Sequence, residues 1–423
     1  MTTFDPESQR TFAVEVVERL RAAGWIAYWA GGCVRDQLLG LTPKDYDVAT
    51  DAPPEQIREL FGRRRTIPVG AAFGVMTVIG PKPAGHVEVA TFRQDFGYSD
   101  GRRPDEVQFS TPELDAQRRD FTINGLFYDP HEQRVIDFVG GRRDLAARVV
   151  RAIGDPVERF REDKLRMLRA VRFAATFRFE LEPTTLWAIR RMTEQIHVVS
   201  QERIGAEMRR MLTHETQARA AELLFDSGLL AELLPEAAQL ARDEANQHPW
   251  QETLRVLSDL GHTTMPVGLA ALLHQSGGPE LAGEVGRRWR LKNKEVERTA
   301  WLLEHLGALP AARTMRWPRL QRLLISPGID ELLTLYEAQS LPGDEVLPYL
   351  QEKLRLPDEQ LNPPPLLGGH DLIEHGVRPG PQFSTLLDAV RDAQLEQQIG
   401  SRDDALALVD RLLTGQSEGP AGG

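Results

Sequence analysis

An α/β N-terminal domain followed by an all-α remainder is the fold class this sequence predicts, on three observations. Up to about residue 140, strand-like apolar runs alternate with helix-like ones. Beyond Asp144 the apolar spacing is helical almost throughout. Proline and glycine clusters cut that helical part at 154–156, 277–279, 342–343, 363–369 and 379–381. A chain of 423 residues exceeds one ordinary core, so two to four domains are expected. The breaks divide it into an α/β head (1–140), a helical neck (141–212), a helical body (213–340), a helical tail (341–415) and a disordered end (416–423).

The elements follow in order. Residues 9–24 read as a helix, with Phe12, Val16, Val17, Leu20 and Ala23 on one face. The apolar run 26–30 reads as a strand ending at Gly31-Gly32, followed by a short helix over 34–39. A second strand is predicted over 46–49, then a helix over 53–61 with Asp51 as its N-cap. Residues 73–80 and 86–92 read as a strand pair across the turn 81–85. The polar, glycine-containing stretch 93–107 reads as a mobile loop. No internal repeat is apparent.

Composition narrows the class. Hydrophobic residues at 41% and charged residues at 27% describe a soluble globular protein. No apolar run approaches a membrane span, and the first residues lack a secretory pattern. Cys33 is the only cysteine, so no internal disulfide can form and a cytoplasmic location is expected. The net charge of −11 argues against nucleic acid until its distribution is considered. Residues 142–210 hold 16 Lys and Arg against 10 Asp and Glu, a local +6 that leaves −17 on the rest. That pattern suits a groove that meets phosphates, or else solvated helices laced by their own ion pairs.

The stretch GGCVRDQLLGLTPKDYDVAT (31–50) carries the chemistry. On a strand, Asp45 and Asp47 project to one face, and two neighbouring carboxylates call for a cation. Mg2+ suits, because it takes one or two protein carboxylates and completes its shell with water and substrate phosphates. Glu88, on a later predicted strand, is a candidate third carboxylate; the competing reading of an isolated D-x-D is a surface turn. Gly31 and Gly32, ahead of a helix, let backbone amides approach a triphosphate. Arg35 lies in the first helical turn, placed for a phosphate, with Asp36 as a cap or ion-pair partner.

Taken together, GGCVRDQLLG and KDYDVAT resemble the signature of class II tRNA nucleotidyltransferases and bacterial poly(A) polymerases, within the polymerase-β-like nucleotidyltransferase superfamily. The resemblance continues in order through VEVATFR (87–93), YSDGRRPDEVQF (98–109), RRDFTINGL (118–126), DFVGGRRDL (137–145), RAIGDPVERFREDKLRMLRAVRFAA (151–175) and SQERIGAEMRRML (200–212). A looser likeness runs through LLGGHDLIEHGVRPGP (366–381). It implies a polymerase-β-like head followed by all-α neck, body and tail.

The resemblance also implies roles. In a helix expected over 161–173, Asp163, Arg166, Arg169 and Arg172 recur every three residues, either as ion pairs along the helix or as an amino-acid template. Cytosine and adenine each present an amino donor beside a ring-nitrogen acceptor. Asp163 could accept from the amino group while Arg166 donates to the ring nitrogen, a pairing that guanine and uracil oppose. By resemblance, Arg169, Arg172 and Arg119 contact the nucleotide, Asp120 and Asn124 lie near its sugar and phosphates, and Arg203 and Glu207 brace the template helix. Arg118 has no comparable role and is expected to face RNA. Gly125 stands where many relatives carry Ala, and the presence of the 93–107 loop disfavours an enzyme adding only CC.

The function expected is attack of a tRNA 3′-hydroxyl on CTP or ATP, adding CCA or only its terminal A, with Mg2+ as cofactor. The alternatives are a poly(A) polymerase and an inactive RNA-binding protein on the same scaffold. In PVGLAALLHQSGGP (266–279), His274 is followed by Gln275 where the related His-Asp phosphohydrolase motif needs Asp, so this segment is expected only to pack. Trp250, Trp289, Trp301 and Trp317 are expected as core anchors.

Overall fold

Alternation of side chains along β1 (Ala27–Ala30) sets up the head. Ala27 and Trp29 enter one apolar cluster, while Tyr28 and Ala30 enter another on the opposite face. The computed structural model describes residues 5–70, 74–97, 106–243 and 245–416. Around β1 stands a seven-stranded mixed sheet built with β2 (Asp47–Thr50), β3 (Thr66–Gly70), β4 (Val75–Ile79), β5 (His86–Thr91), β8 (Leu126–Asp129) and β9 (Arg134–Asp137). Its order is β3-β4-β5-β2-β1-β8-β9. Every neighbouring pair is antiparallel except β2 and β5, which run parallel with Asp47 opposite Glu88.

One sheet face is covered by α1 (Pro6–Ala22), which buries Phe12, Val16, Val17 and Leu20, and by α3 (Pro54–Phe61), which buries Ile57 and Phe61. α1 starts where Asp5 accepts from the Ser8 amide at 2.9 Å, with Pro6 in its first turn. The opposite face carries only a small cluster of Ala30, Ala49, Phe92, Ala116 and Phe127. Val48, Val87 and Val89 pack toward the helices, so Asp47 and Glu88 necessarily point to this thinner side.

Several expectations are corrected. The helix over 53–61 begins at Pro54 with Pro53 at its cap; Asp51 instead accepts from the Ile26 amide at 2.7 Å, tying two strand ends together. The stretch 93–107 is not simply a loop: β6 (Arg93–Phe96) and β7 (Glu106–Phe109) pair as a ribbon, and 98–105 lies outside the described residues. β3, β8 and β9 were not read from the sequence; β3 contains Pro68, which suits its place at the sheet edge. The helix expected over 161–173 is two helices, α6 (Pro156–Glu162) and α7 (Leu165–Phe177), broken where Asp163 turns extended at φ −147° and ψ 106°. The last helix runs Arg402–Gln416, and 417–423 lies outside the described residues.

Beyond α5 (Gly141–Ala147) the regular structure among the described residues is helical apart from β10 (Val149–Val150) and β11 (Glu180–Leu181). α8 (Pro183–Met192) and α9 (Gln201–Leu212) pack with α6 and α7, and the same apolar core continues through the helices to Val346–Leu354. Trp250 and Trp289 are buried in it, while Trp301 and Trp317 are half-buried against it. A separate cluster of Leu367, Leu372, Val377, Leu386, Val390, Ala405 and Val409 gathers the C-terminal helices. No helix among the described residues is long and apolar enough to cross a membrane.

α9 meets the body through a glycine. A Cβ at Gly205 would stand 2.2 Å from the Trp289 carbonyl oxygen, so the two backbones touch. Gly205→Ala is therefore expected to cost about 1–3 kcal/mol, since main chain rather than a flexible side chain must yield. Urea denaturation of the two proteins measures it.

Candidate active site

The parallel register of β2 and β5 brings Asp47 and Glu88 side by side on the thinly covered sheet face, and Asp45 joins them from the exposed turn just before β2. Among the described residues, none of these three carboxylates has a hydrogen-bond or ion-pair partner. Burial, and then the charges of Asp45 and Glu88, push the Asp47 carboxyl up to about 7, against the pull of Arg119. Unpaired, mutually repelling carboxylates could hold a hard divalent cation between them. No three His, Cys, Asp or Glu side chains among the described residues are gathered to hold an ion alone. Cys33 offers no nucleophile there: burial first, and the Asp47 charge next, push its thiol up to about 12.

Beside the carboxylates, Gly31 holds φ +75°, and a Cβ there would lie 2.9 Å from Arg119 Nη1. The positive φ calls for glycine, and the close guanidinium shows how tightly Arg119 lies against the turn. α2 (Gly32–Leu38) begins at the next residue, and both glycines line the cavity described below. Arg35 is buried, 8% exposed. Its Nε and Nη2 donate to Asp36 Oδ1 at 2.8 and 2.7 Å, which makes Asp36 its ion-pair partner, and its Nη1 donates to Asn124 Oδ1 at 2.6 Å.

Asn124 passes this network on. Its Nδ2 donates to Asp120 Oδ1 at 3.0 Å, and Asp120 Oδ2 accepts from Arg169 Nε and Nη2 at 2.9 and 2.6 Å. Burial alone would raise the Asp120 carboxyl, but Arg169 and the Asn124 hydrogen bond hold it at about 2. A continuous path thus joins the glycine-turn helix to α7. The Asn124 amide, with an acceptor and a donor on separate atoms, serves both neighbours at once. Asn124→Asp places a second carboxylate against Asp120 and is expected to lower stability by about 1–3 kcal/mol at neutral pH. The loss should show in chemical denaturation and shrink when Asp120 is also made Asn.

The arginine stripe is not paired along its own helix. Asp163, extended between α6 and α7, accepts from the Leu165 amide at 3.0 Å and from Arg203 Nη2 at 2.6 Å. Arg166 Nη1 donates to Glu162 at 2.5 Å, while Arg172 Nε donates to Glu207 at 2.5 Å. Glu207 also accepts from Arg210 at 2.7 Å. Arg203 and Glu207 thus hold Asp163 and Arg172 from α9.

Asp45, Asp47, Glu88, Gly32, Arg35, Arg119, Asp120, Asn124, Asp163, Arg166, Arg169 and Arg172 all line one cavity of about 790 Å3; Arg203 and Glu207 stand behind its wall. Three lining residues were missed. Arg118, expected to face RNA, turns into the cavity. Phe173 is buried in the core and also borders the cavity, four residues after Arg169, with the Arg172 guanidinium 4.0 Å from its ring centroid. Arg210 was legible as the i+3 partner of Glu207. His274 and Gln275 line a different cavity of about 560 Å3 in the body, where His274 Nδ1 sits 2.8 Å from the Ala271 carbonyl.

Comparison with known proteins matches residues 27–151 to the family described as "Poly A polymerase head domain" and residues 178–240 to "Probable RNA and SrmB- binding site of polymerase A". The chain is similar to the CCA-adding enzyme of Geobacillus stearothermophilus, 33% identical over 407 residues, covering 93% of this chain and 95% of that one. It is likewise similar to the CCA-adding enzyme of Latilactobacillus sakei, 32% identical over 412 residues, covering 96% and 98%. Its structure resembles the crystal structure of the Bacillus stearothermophilus CCA-adding enzyme in complex with CTP, with a TM-score of 0.76, 29% identity and coverage of 98% and 99%. The Thermotoga maritima CCA-adding enzyme complexed with tRNA shares the fold at a TM-score of 0.63, 21% identity and 95% coverage of each chain. With likeness running almost end to end, and the head and RNA-binding families matched in order, the chain belongs to the family of CCA-adding enzymes and poly(A) polymerases, which are nucleotidyltransferases.

Proposed function

We propose that this protein adds the 3′-terminal CCA, or its terminal A, to tRNA from CTP and ATP without a nucleic-acid template. The observation that carries this reading is the single cavity in which orphaned carboxylates face an arginine-lined helix. The tRNA 3′-hydroxyl gives up its proton to solvent as its oxygen forms a bond to the α-phosphorus, and the bond from that phosphorus to pyrophosphate breaks. Asp45 and Asp47 hold Mg2+, with Glu88 beside them. When bound, the metal neutralises charge on the triphosphate and on the attacking oxygen. Arg35 and the Gly31-Gly32 turn steady the phosphates, together with Arg119 and the α2 N-terminus.

Selection of the base falls to Asp163 and Arg166. Each is oriented by a partner yet keeps free capacity: a carboxylate accepts about four hydrogen bonds and a guanidinium offers five donors. Arg169 and Arg172 complete the wall, and Phe173 supplies an apolar surface beside them. The helical body and tail grip tRNA by shape and phosphate contact. The sole cysteine is free and buried, in keeping with a cytoplasmic protein.

Three tRNA transcripts test the reading: one ending before the first C, one after C and one after CC, each with labelled CTP or ATP. Completion of all three supports CCA addition, and extension of the CC-ending transcript alone supports A addition. Long A tails on unrelated RNA would mark a poly(A) polymerase instead, and no incorporation at all would sink the enzymatic reading.

A further inference from the structure

Behind the cavity wall lies a carboxylate that the chemistry above does not use. Asp115, in α4 (Pro112–Gln117), is 1% exposed. Its Oδ1 accepts from Arg118 Nε and Nη2 at 2.9 and 2.7 Å, and from the Arg93 amide at 3.2 Å. Its Oδ2 accepts from Arg119 Nε and Nη2 at 3.2 and 3.0 Å. One buried anion therefore grips two consecutive arginines, both of which line the nucleotide cavity. Burial alone would raise this carboxyl, but Arg119 and Arg118 hold it below the usual carboxylate range, so it stays ionised.

The geometry of the grip matters more than its charge. A guanidinium held through Nε and one Nη is fixed in plane and direction. For Arg119 that leaves Nη1, which points at the Gly31 turn, within 2.9 Å of where a Cβ would sit. The Arg119 guanidinium also lies 5.2 Å from the Phe127 ring centroid, closing its other side. Two adjacent cations aimed into one space repel each other. The shared carboxylate, with Asp95 3.7 Å from Arg118 Nη1, offsets that repulsion, and its grip removes rotamer freedom that binding would otherwise have to freeze. A role confined to holding α4 would need one arginine, not two that both reach the cavity.

We infer that Asp115 is a positioning residue for the incoming nucleotide: it presents Arg119 Nη1 to the phosphates of a nucleoside triphosphate held against the Gly31-Gly32 turn. This rests on the proposed function, which supplies the ligand. Because the contact is to phosphate and not to the base, losing it should weaken CTP and ATP alike.

The test is equilibrium binding of CTP and of ATP to the full chain by calorimetry, without RNA, alongside thermal melting. Asp115→Asn keeps shape but loses charge, and is expected to raise Kd for both nucleotides by about tenfold or more, the worth of a charged hydrogen bond. In an Arg119→Ala background the same change should alter Kd by less than about threefold, because the effect passes through Arg119. If Asp115→Asn also melts early, Asp115→Glu, which keeps charge and both oxygens, should bind within about threefold of the parent protein. Unchanged affinity in Asp115→Asn, an effect fully retained without Arg119, or equally poor binding by folded Asp115→Glu would each overturn the assignment. A parent protein that binds neither nucleotide would overturn the functional reading, and this inference with it.

Discussion

Asp47→Ala and Asp45→Ala each lower the rate of nucleotide addition by on the order of 10³-fold or more while leaving the fold intact. The expectation rests on what these side chains lack. Among the described residues neither has a hydrogen-bond or ion-pair partner, so removing one breaks no structural contact. Asp47 is instead held in a position where burial and the charges of Asp45 and Glu88 disfavour its ionised form. Asp47→Asn should consequently melt no lower than the parent protein in the absence of divalent ions, although it is inactive. Single-turnover extension of a CC-ending tRNA with labelled ATP reads the first effect, and circular dichroism melting reads the second. A variant that unfolds would assign these aspartates a structural role; one that still adds nucleotides would remove them from the chemistry.

Asp163→Ala produces a different failure. Transfer continues at a reduced rate, but discrimination against UTP and GTP falls by on the order of 10²-fold, because a polar mismatch no longer excludes the wrong edge. The groups proposed to hold triphosphate and metal lie elsewhere in the cavity, so their contacts should be retained. Arg203→Ala is expected to shift discrimination in the same direction but less, since Arg203 acts on Asp163 from behind through a 2.6 Å contact. Competition among the four nucleotides on one tRNA transcript measures both variants. Undiminished rejection of UTP and GTP in Asp163→Ala would place base selection on other groups.

The two results would separate chemistry from choice. Asp47 and Glu88 sit on the sheet with Asp45 just before it, and Asp163 sits in the break ahead of α7. The Arg35–Asn124–Asp120–Arg169 path joins the two walls. A change in one wall therefore reaches the other through three side-chain contacts, which is why Asn124→Asp is expected to register in stability as well as in nucleotide affinity.

Much of this site was legible in short stretches. The glycine pair ahead of a helix, the aspartates two apart, the RRDFTING block and the arginines recurring every three residues are all local patterns. Each needed fewer than about fifteen residues to recognise, because helical and strand periodicity are properties of adjacent backbone. The alternation that puts Val48 in the core and Asp47 on the open face belongs to the same class.

Other features are decided only by distant partners. Nothing near Glu88 says that it lies opposite Asp47, since that follows from the one parallel pairing in the sheet. The helix expected over 161–173 breaks at Asp163, where an extended backbone lets the carboxylate reach Arg203, forty residues away. Asp115 reads as an ordinary first-turn acid until it is buried against two arginines, and Phe173, packed in the core, also borders a cavity that only the fold creates. The sequence by itself determined the fold class and the kinds of group that do the chemistry, because local geometry and residue type suffice for both. The tertiary structure alone decided which charges remain unpaired and which are held, because burial and pairing depend on groups the chain brings together only when it folds.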